Sequence, residues 1–92
     1  MNTMPQYTTE TVRSAIREHI LANFLFTEDQ NALGDDDSFQ ETRVIDSMGM
    51  IQLIQFMEAE YQIKVQDEEM VPEKLDSVNR LVRFVLGKTG PA

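Results

Sequence analysis

A chain of 92 residues and 10.6 kDa provides for one small domain, and 41% apolar with 26% charged residues is a globular balance. Without cysteine, disulfides, thiolate zinc sites and cysteine nucleophiles are excluded, and a single histidine, His19, excludes a histidine-rich metal site. Sixteen acids against eight bases give a net charge of −8 and a pI near 4.4, which disfavours nucleic acid and anionic membranes and favours partners with basic patches.

The start, Met1 to Thr9, is polar and has no basic residue, unlike a secretory signal, and no apolar run approaches the roughly 20 residues of a membrane helix. A cytoplasmic location is therefore expected. From about Thr9 to Phe26, the apolar residues Val12, Ile16, Ile20 and Phe24 recur four apart, with Ala15 and Leu21 widening the stripe. That period predicts a helix, capped by Thr8 or Thr9. From Thr27 to Asp46 the period breaks at Asn31, Gly34, Asp35, Asp36, Asp37 and Ser38, which predicts a loop of about twenty residues. Phe39, Val44 and Ile45 give that loop an apolar side to dock on the core.

A second helix is predicted from Asp46 or Ser47 to near Tyr61. Met50, Leu53, Ile54, Met57 and Tyr61 fall within roughly 60° of one direction and define its core face. Met48 and Ile51 lie off that face, beside Gln55. Pro72 to Leu75 can form one helical turn with proline at its first position. A last helix follows a cap at Asp76 or Ser77, carries Val78, Leu81, Val82 and Val85 inward, and is expected to end at Gly87. The expected fold is all-α, a small four-helix bundle with a long first loop and a short third helix. It forms a single domain over 1–92, with its core at about 9–87 and flexible tails at 1–8 and 88–92.

Catalytic and metal patterns fail in detail. Ile45-Asp46-Ser47-Met48-Gly49 has isoleucine where a nucleophile elbow needs its first glycine, and no strand precedes it. An EF-hand begun at Asp29 would put Leu33 at its fifth ligand position and Gln40 at its twelfth, where oxygen and a glutamate are required. The run Asp35 to Asp37 is expected to be a solvated loop, and no metal site is expected. What remains is Asp46-Ser47 at a helix start. Asp46 suits the N-cap, and a phosphate ester on Ser47 would lie beside unpaired amides and the positive end of the helix dipole. On local pattern alone, the reading in which the two residues only cap the helix is the one that usually wins.

The segment Val44-Ile45-Asp46-Ser47-Met48-Gly49-Met50-Ile51-Gln52-Leu53-Ile54 resembles the attachment motif of acyl and peptidyl carrier proteins. Phe56 to Val65, Asp67 to Glu73 and Asp76-Ser77-Val78 are similar to the regions that follow it in that family, so the likeness spans about Phe39 to Leu86. The resemblance implies a four-helix bundle that is not an enzyme. A phosphopantetheinyl transferase would move 4′-phosphopantetheine from coenzyme A onto Ser47, beside Asp46. The thiol of that arm would carry an acyl or aminoacyl thioester from an activating ligase to a downstream acyl-accepting enzyme, which reconciles thiol chemistry with a chain lacking cysteine. Met48, Ile51, Gln55 and Glu58 would meet these partners, the protein acting as a monomer without nucleic acid or membrane insertion.

Fatty-acid carriers of this kind usually place acids two and five residues after the serine, where this chain has Gly49 and Gln52. The run Asp-Ser-Met-Gly looks more like stand-alone aminoacyl and D-alanyl carriers. The alternative from another class is a small acidic helical adaptor with no prosthetic group.

Overall fold

The helix near the N-terminus starts on a reciprocal cap: Thr8 Oγ1 accepts from the Thr11 amide at 3.1 Å, and Thr11 Oγ1 accepts from the Thr8 amide at 3.0 Å. A computed structural model describes residues 7–89 of the chain, so residues 1–6 and 90–92 of the expected tails lie outside the described range. Helix α1 (Thr9–Ile20) buries Val12, Ile16 and Ile20 completely. The α geometry does not persist to Phe26 as expected, because Leu21–Leu25 forms a π-helical turn and Phe26 closes it with a left-handed φ of 54°. Apolar residues four apart drift about 40° per step on an α-helix. The wider i→i+5 turn rotates less per residue and takes back part of that drift.

The predicted loop is more ordered than its composition suggests. A 3₁₀ turn at Gln30–Ala32 and a four-residue helix α2 (Phe39–Thr42) interrupt it. Leu33, Phe39 and Ile45 are buried and anchor it to the core. Asp35 to Asp37 are solvated as expected, Asp36 and Asp37 being exposed, but they are not idle. Asp35 accepts from Arg17 at 2.7 Å and lies 3.5 Å from Arg13. Asp36 accepts from Asn79 Nδ2 at 2.7 Å, and Asp37 accepts from the Gly34 amide at 3.1 Å. Asp35 fastens the loop to α1 and Asp36 fastens it to Asn79 of the last helix, while Asp37 closes a turn within the loop.

Helix α3 (Ser47–Tyr61) buries Leu53, Ile54, Met57 and Tyr61, with Met50 half-buried, as the period predicts. Tyr7 meets Tyr61 edge-on at 5.0 Å at one end, while Phe24 reaches Gly49 at the other, so the α1 segment and α3 run antiparallel. The turn Pro72–Leu75 is helix α4, with proline at its start. Helix α5 (Val78–Thr89) is capped by Ser77, whose Oγ accepts from the Arg80 amide at 3.1 Å. Asp76 turns the other way: it accepts from the Gln40 amide at 3.1 Å and from the Ser38 hydroxyl, and so pins α2.

Gly87 does not end α5, which runs on to Thr89. Beyond the boundary expected at 87, Lys88 Nζ pairs with Glu69 at 2.8 Å, and Thr89 Oγ1 donates to the Val85 carbonyl at 3.0 Å. α1 packs along α5, and α3 and α4 close the core against α5. The described residues contain helices and turns without a strand, an all-α bundle in which α2 is the element added to expectation. No helix among them is long and apolar enough to cross a membrane.

Candidate functional site

Asp46 enters α3 with extended backbone, and its Oδ1 accepts from the Gly49 amide at 2.7 Å. Its own carbonyl accepts from the Met50 amide at 2.8 Å. These bonds leave the amides of Ser47 and Met48 as the free donors that every helix start presents. Ser47 is exposed at the first helical position, so its hydroxyl lies where an anion is favoured by those donors and by the dipole.

A groove of about 630 Å³ opens beside Ser47, between the start of α3, α2 and α4. Ile45, Met50, Ile51, Ile54 and Met70 give it an apolar lining, and Asp46 and Asp76 lie at its polar edge. Arg43 also lines it, exposed, with a left-handed φ of 61° that a non-glycine residue adopts at a cost. Arg43 forms no ion pair among the described residues, although Asp46 and Asp76 place two carboxylates along the same groove.

Met48, Ile51, Gln55 and Glu58 follow one stripe along α3. Met48 is 68% exposed and Ile51 50%, and Gln55 is exposed too. Glu58 differs from these three, because it is half-buried and its Oε2 accepts from the Val65 amide at 2.9 Å. That carboxylate is occupied in holding the chain after α3.

Gly49 is buried, so the position two residues after Ser47 is not part of an exposed face. A Cβ there would stand 2.8 Å from Phe24 Cε1. An acid at 49 would therefore collide with the core before it could present a charge, whereas Gln52 is exposed.

His19 is no base for Ser47. Its ring stacks on Phe56 with centroids 3.9 Å apart and planes 14° from parallel. Phe56 lies nine residues beyond Ser47, about 13 Å along the helix. Burial holds the imidazole below its ordinary pKa, and the Asn23 side-chain amide lies 3.3 Å from its Nδ1. Among the described residues no three His, Cys, Asp or Glu side chains gather as a metal site.

Sequence reasoning missed Arg43, the groove and the contact at Gly49. The first two depend on how α2 folds back, for which the sequence has no periodic signal. The third had a weak one: even in a helix's first turn glycine is a poorer helix former than alanine and so points to a packing reason. The D-alanyl carrier protein of Streptococcus uberis is 36% identical to this chain over 72 residues, which cover 76% of this chain and 90% of that protein. No family model matches the chain.

Proposed function

From the chain's membership of the carrier-protein family, to which the D-alanyl carrier protein belongs, we propose that it is a discrete carrier bearing 4′-phosphopantetheine on Ser47. The observation that carries the reading is Ser47 itself, exposed in the first turn of α3 behind a formed Asp46 cap. The first-turn amides and the dipole would favour a phosphodiester on that oxygen, and the Arg43 guanidinium would add a mobile positive charge nearby. The lining of the groove suits an arm with apolar stretches and the group it bears. When bound, the group supplies a thiol able to hold a thioester.

The residues of the chain hold and present; the chemistry of loading and transfer belongs to the partner enzymes. Those partners are a phosphopantetheinyl transferase, an activating ligase and an acyl-accepting enzyme. Met48, Ile51 and Gln55 form the face offered to them, while the engaged carboxylate of Glu58 makes it a support of that face. The cargo is an aminoacyl or short acyl group, D-alanine being the one named by the relative. The cytoplasm, where coenzyme A and activating ligases meet, is the location that suits this role.

Incubation with coenzyme A and a broad-specificity transferase should add one phosphopantetheine to the intact mass. Ser47→Ala should abolish the addition while shifting the melting temperature by no more than about 4 °C, since surface changes stay within about 0.5 kcal/mol. An unchanged mass, under conditions that modify a control carrier, would reject the reading in favour of an acidic adaptor with no prosthetic group.

A further inference from the structure

The turn that presents Ser47 is held from outside its own helix. Gly49 donates its amide to Asp46 Oδ1 at 2.7 Å, which fixes the cap. A Cβ on Gly49 would stand 2.8 Å from Phe24 Cε1, 3.1 Å from Ile45 Cγ2 and 3.2 Å from Asp46 Oδ1. Carbon atoms in favourable contact lie about 3.5–4.0 Å apart, so the Phe24 ring already fills the space a side chain at 49 would need. Ring, cap carboxylate and glycine form one contact group.

Phe24 is itself braced. It stands in the π-helical turn Leu21–Leu25, where the altered rotation turns it toward α3. His19 meets its ring edge-on at 6.1 Å and stacks on Phe56 of α3 at 3.9 Å. The path from the first helical segment to the Ser47 turn is therefore a series of packed rings ending on a glycine.

We propose that Phe24 is a positioning residue for the modification of Ser47: seated in the gap at Gly49, it keeps the Asp46–Gly49 cap closed and holds the first turn of α3 in the form the transferring enzyme accepts. The role rests on the reading of Ser47 as the attachment site. Without the ring the cap opens more often and Ser47 spends less time in the accepted form. A form populated one tenth as often lowers kcat/KM about tenfold while leaving the affinity of the enzyme for coenzyme A unchanged.

The test uses the full chain and its variants Phe24→Ala, Phe24→Met, Gly49→Ala and the double variant Phe24→Ala/Gly49→Ala. Amide hydrogen exchange is read at Gly49 and at Leu53, and modification by a transferase with coenzyme A is followed by intact mass. Phe24→Ala should speed exchange at Gly49 by at least tenfold, to near the unprotected rate, with far less change at Leu53, and lower kcat/KM for the carrier about tenfold as the closed cap falls to about a tenth of the population. Phe24→Met, which keeps most of the volume, should recover most of the loss. Gly49→Ala should impair modification beside Phe24, and less so once Phe24 is alanine. Equal acceleration at Gly49 and Leu53 would mean general loosening and overturn the role, as would wild-type kinetics in Phe24→Ala. A wild-type chain left unmodified would refute the attachment reading and this role with it; unchanged Gly49 exchange in a chain that is modified would refute the role alone.

Discussion

Replacing Arg17 by methionine should detach the long first loop from α1. The guanidinium donates through Nη1 to the Leu33 carbonyl at 2.6 Å and to Asp35 Oδ1 at 2.7 Å, and through Nη2 to the Gln30 carbonyl at 2.6 Å. Methionine keeps an apolar stem of similar reach, so the change isolates the charged fork from the packing of its methylenes. The Arg17 side chain is only 14% exposed, whereas that of Asp35 is 35% exposed. The Leu33 carbonyl bond, made by a charged donor beside a buried residue, counts at about 1.5–3 kcal/mol. The ion pair with Asp35 is discounted for solvent to about 0.2–1 kcal/mol, and the exposed Gln30 carbonyl adds about 0.5 kcal/mol. The loss should total about 2–4 kcal/mol, which for a domain of this size lowers Tm by at least about 8 °C. Urea unfolding followed by circular dichroism measures it, and Arg17→Lys should recover less than half, because one ammonium cannot serve three acceptors in a fork. A loss under about 0.5 kcal/mol, or a lysine variant as stable as the wild type, would refute this account of the loop.

The rotation of α3 predicts a contrast: Leu53→Ala, at a side chain with no exposure, should cost about 2–5 kcal/mol in denaturant unfolding. Ile51→Glu should leave stability within about 0.5 kcal/mol yet slow modification of Ser47, and the reverse ranking would mean the exposed face is misassigned. Stability should also fall at both ends of the pH range. His19 has its folded pKa lowered by burial, so its contribution is present above the unfolded value of 6.5 and is lost as pH falls below it, and His19→Phe should flatten that acid limb. Tyr61 is pushed up to about 12 by burial first and by the neighbouring Glu60 second, so its contribution is present below pH 10 and is lost as pH rises toward about 12. Tyr61→Phe removes a buried hydroxyl that has no partner among the described residues and should flatten the alkaline limb, and unfolding curves across pH that match the wild type would contradict both assignments.

Where burial followed sequence period, the fold was legible. The stripes of α1, α3 and α5, the caps at Thr8, Asp46 and Ser77 and the proline start of α4 are local properties, fixed by side chains within a turn or two. The exposure of Met48 and Ile51 followed from the same angles. What escaped depends on partners distant in sequence. Asp36 finds Asn79 across 43 positions and Ser38 finds Asp76 across 38, so the order they impose on the loop has no local trace. Gly87 reads as a terminator by residue type, but nothing forces the chain to turn there: no described residue crowds the place a Cβ would take, and Lys88 is drawn on to Glu69. The position after Ser47 that looked like a missing surface charge proved to be a missing volume, because a glycine in a sequence does not say which neighbour fills its place.

The pairing of α1 with α5 sets a timetable for synthesis. About 70 residues separate the start of one from the start of the other, and a ribosome adds roughly 5–20 residues per second. For about 4–14 s the first helix therefore waits in the nascent chain without its principal neighbour. At 12 residues it is marginal as an isolated helix in water. Through that interval Val12, Ile16 and Ile20 are open to chaperones and proteases, and the core closes only when Val78 to Val85 arrive. A stop codon early in α5 would release a chain with Ser47 intact and no folded domain to present it.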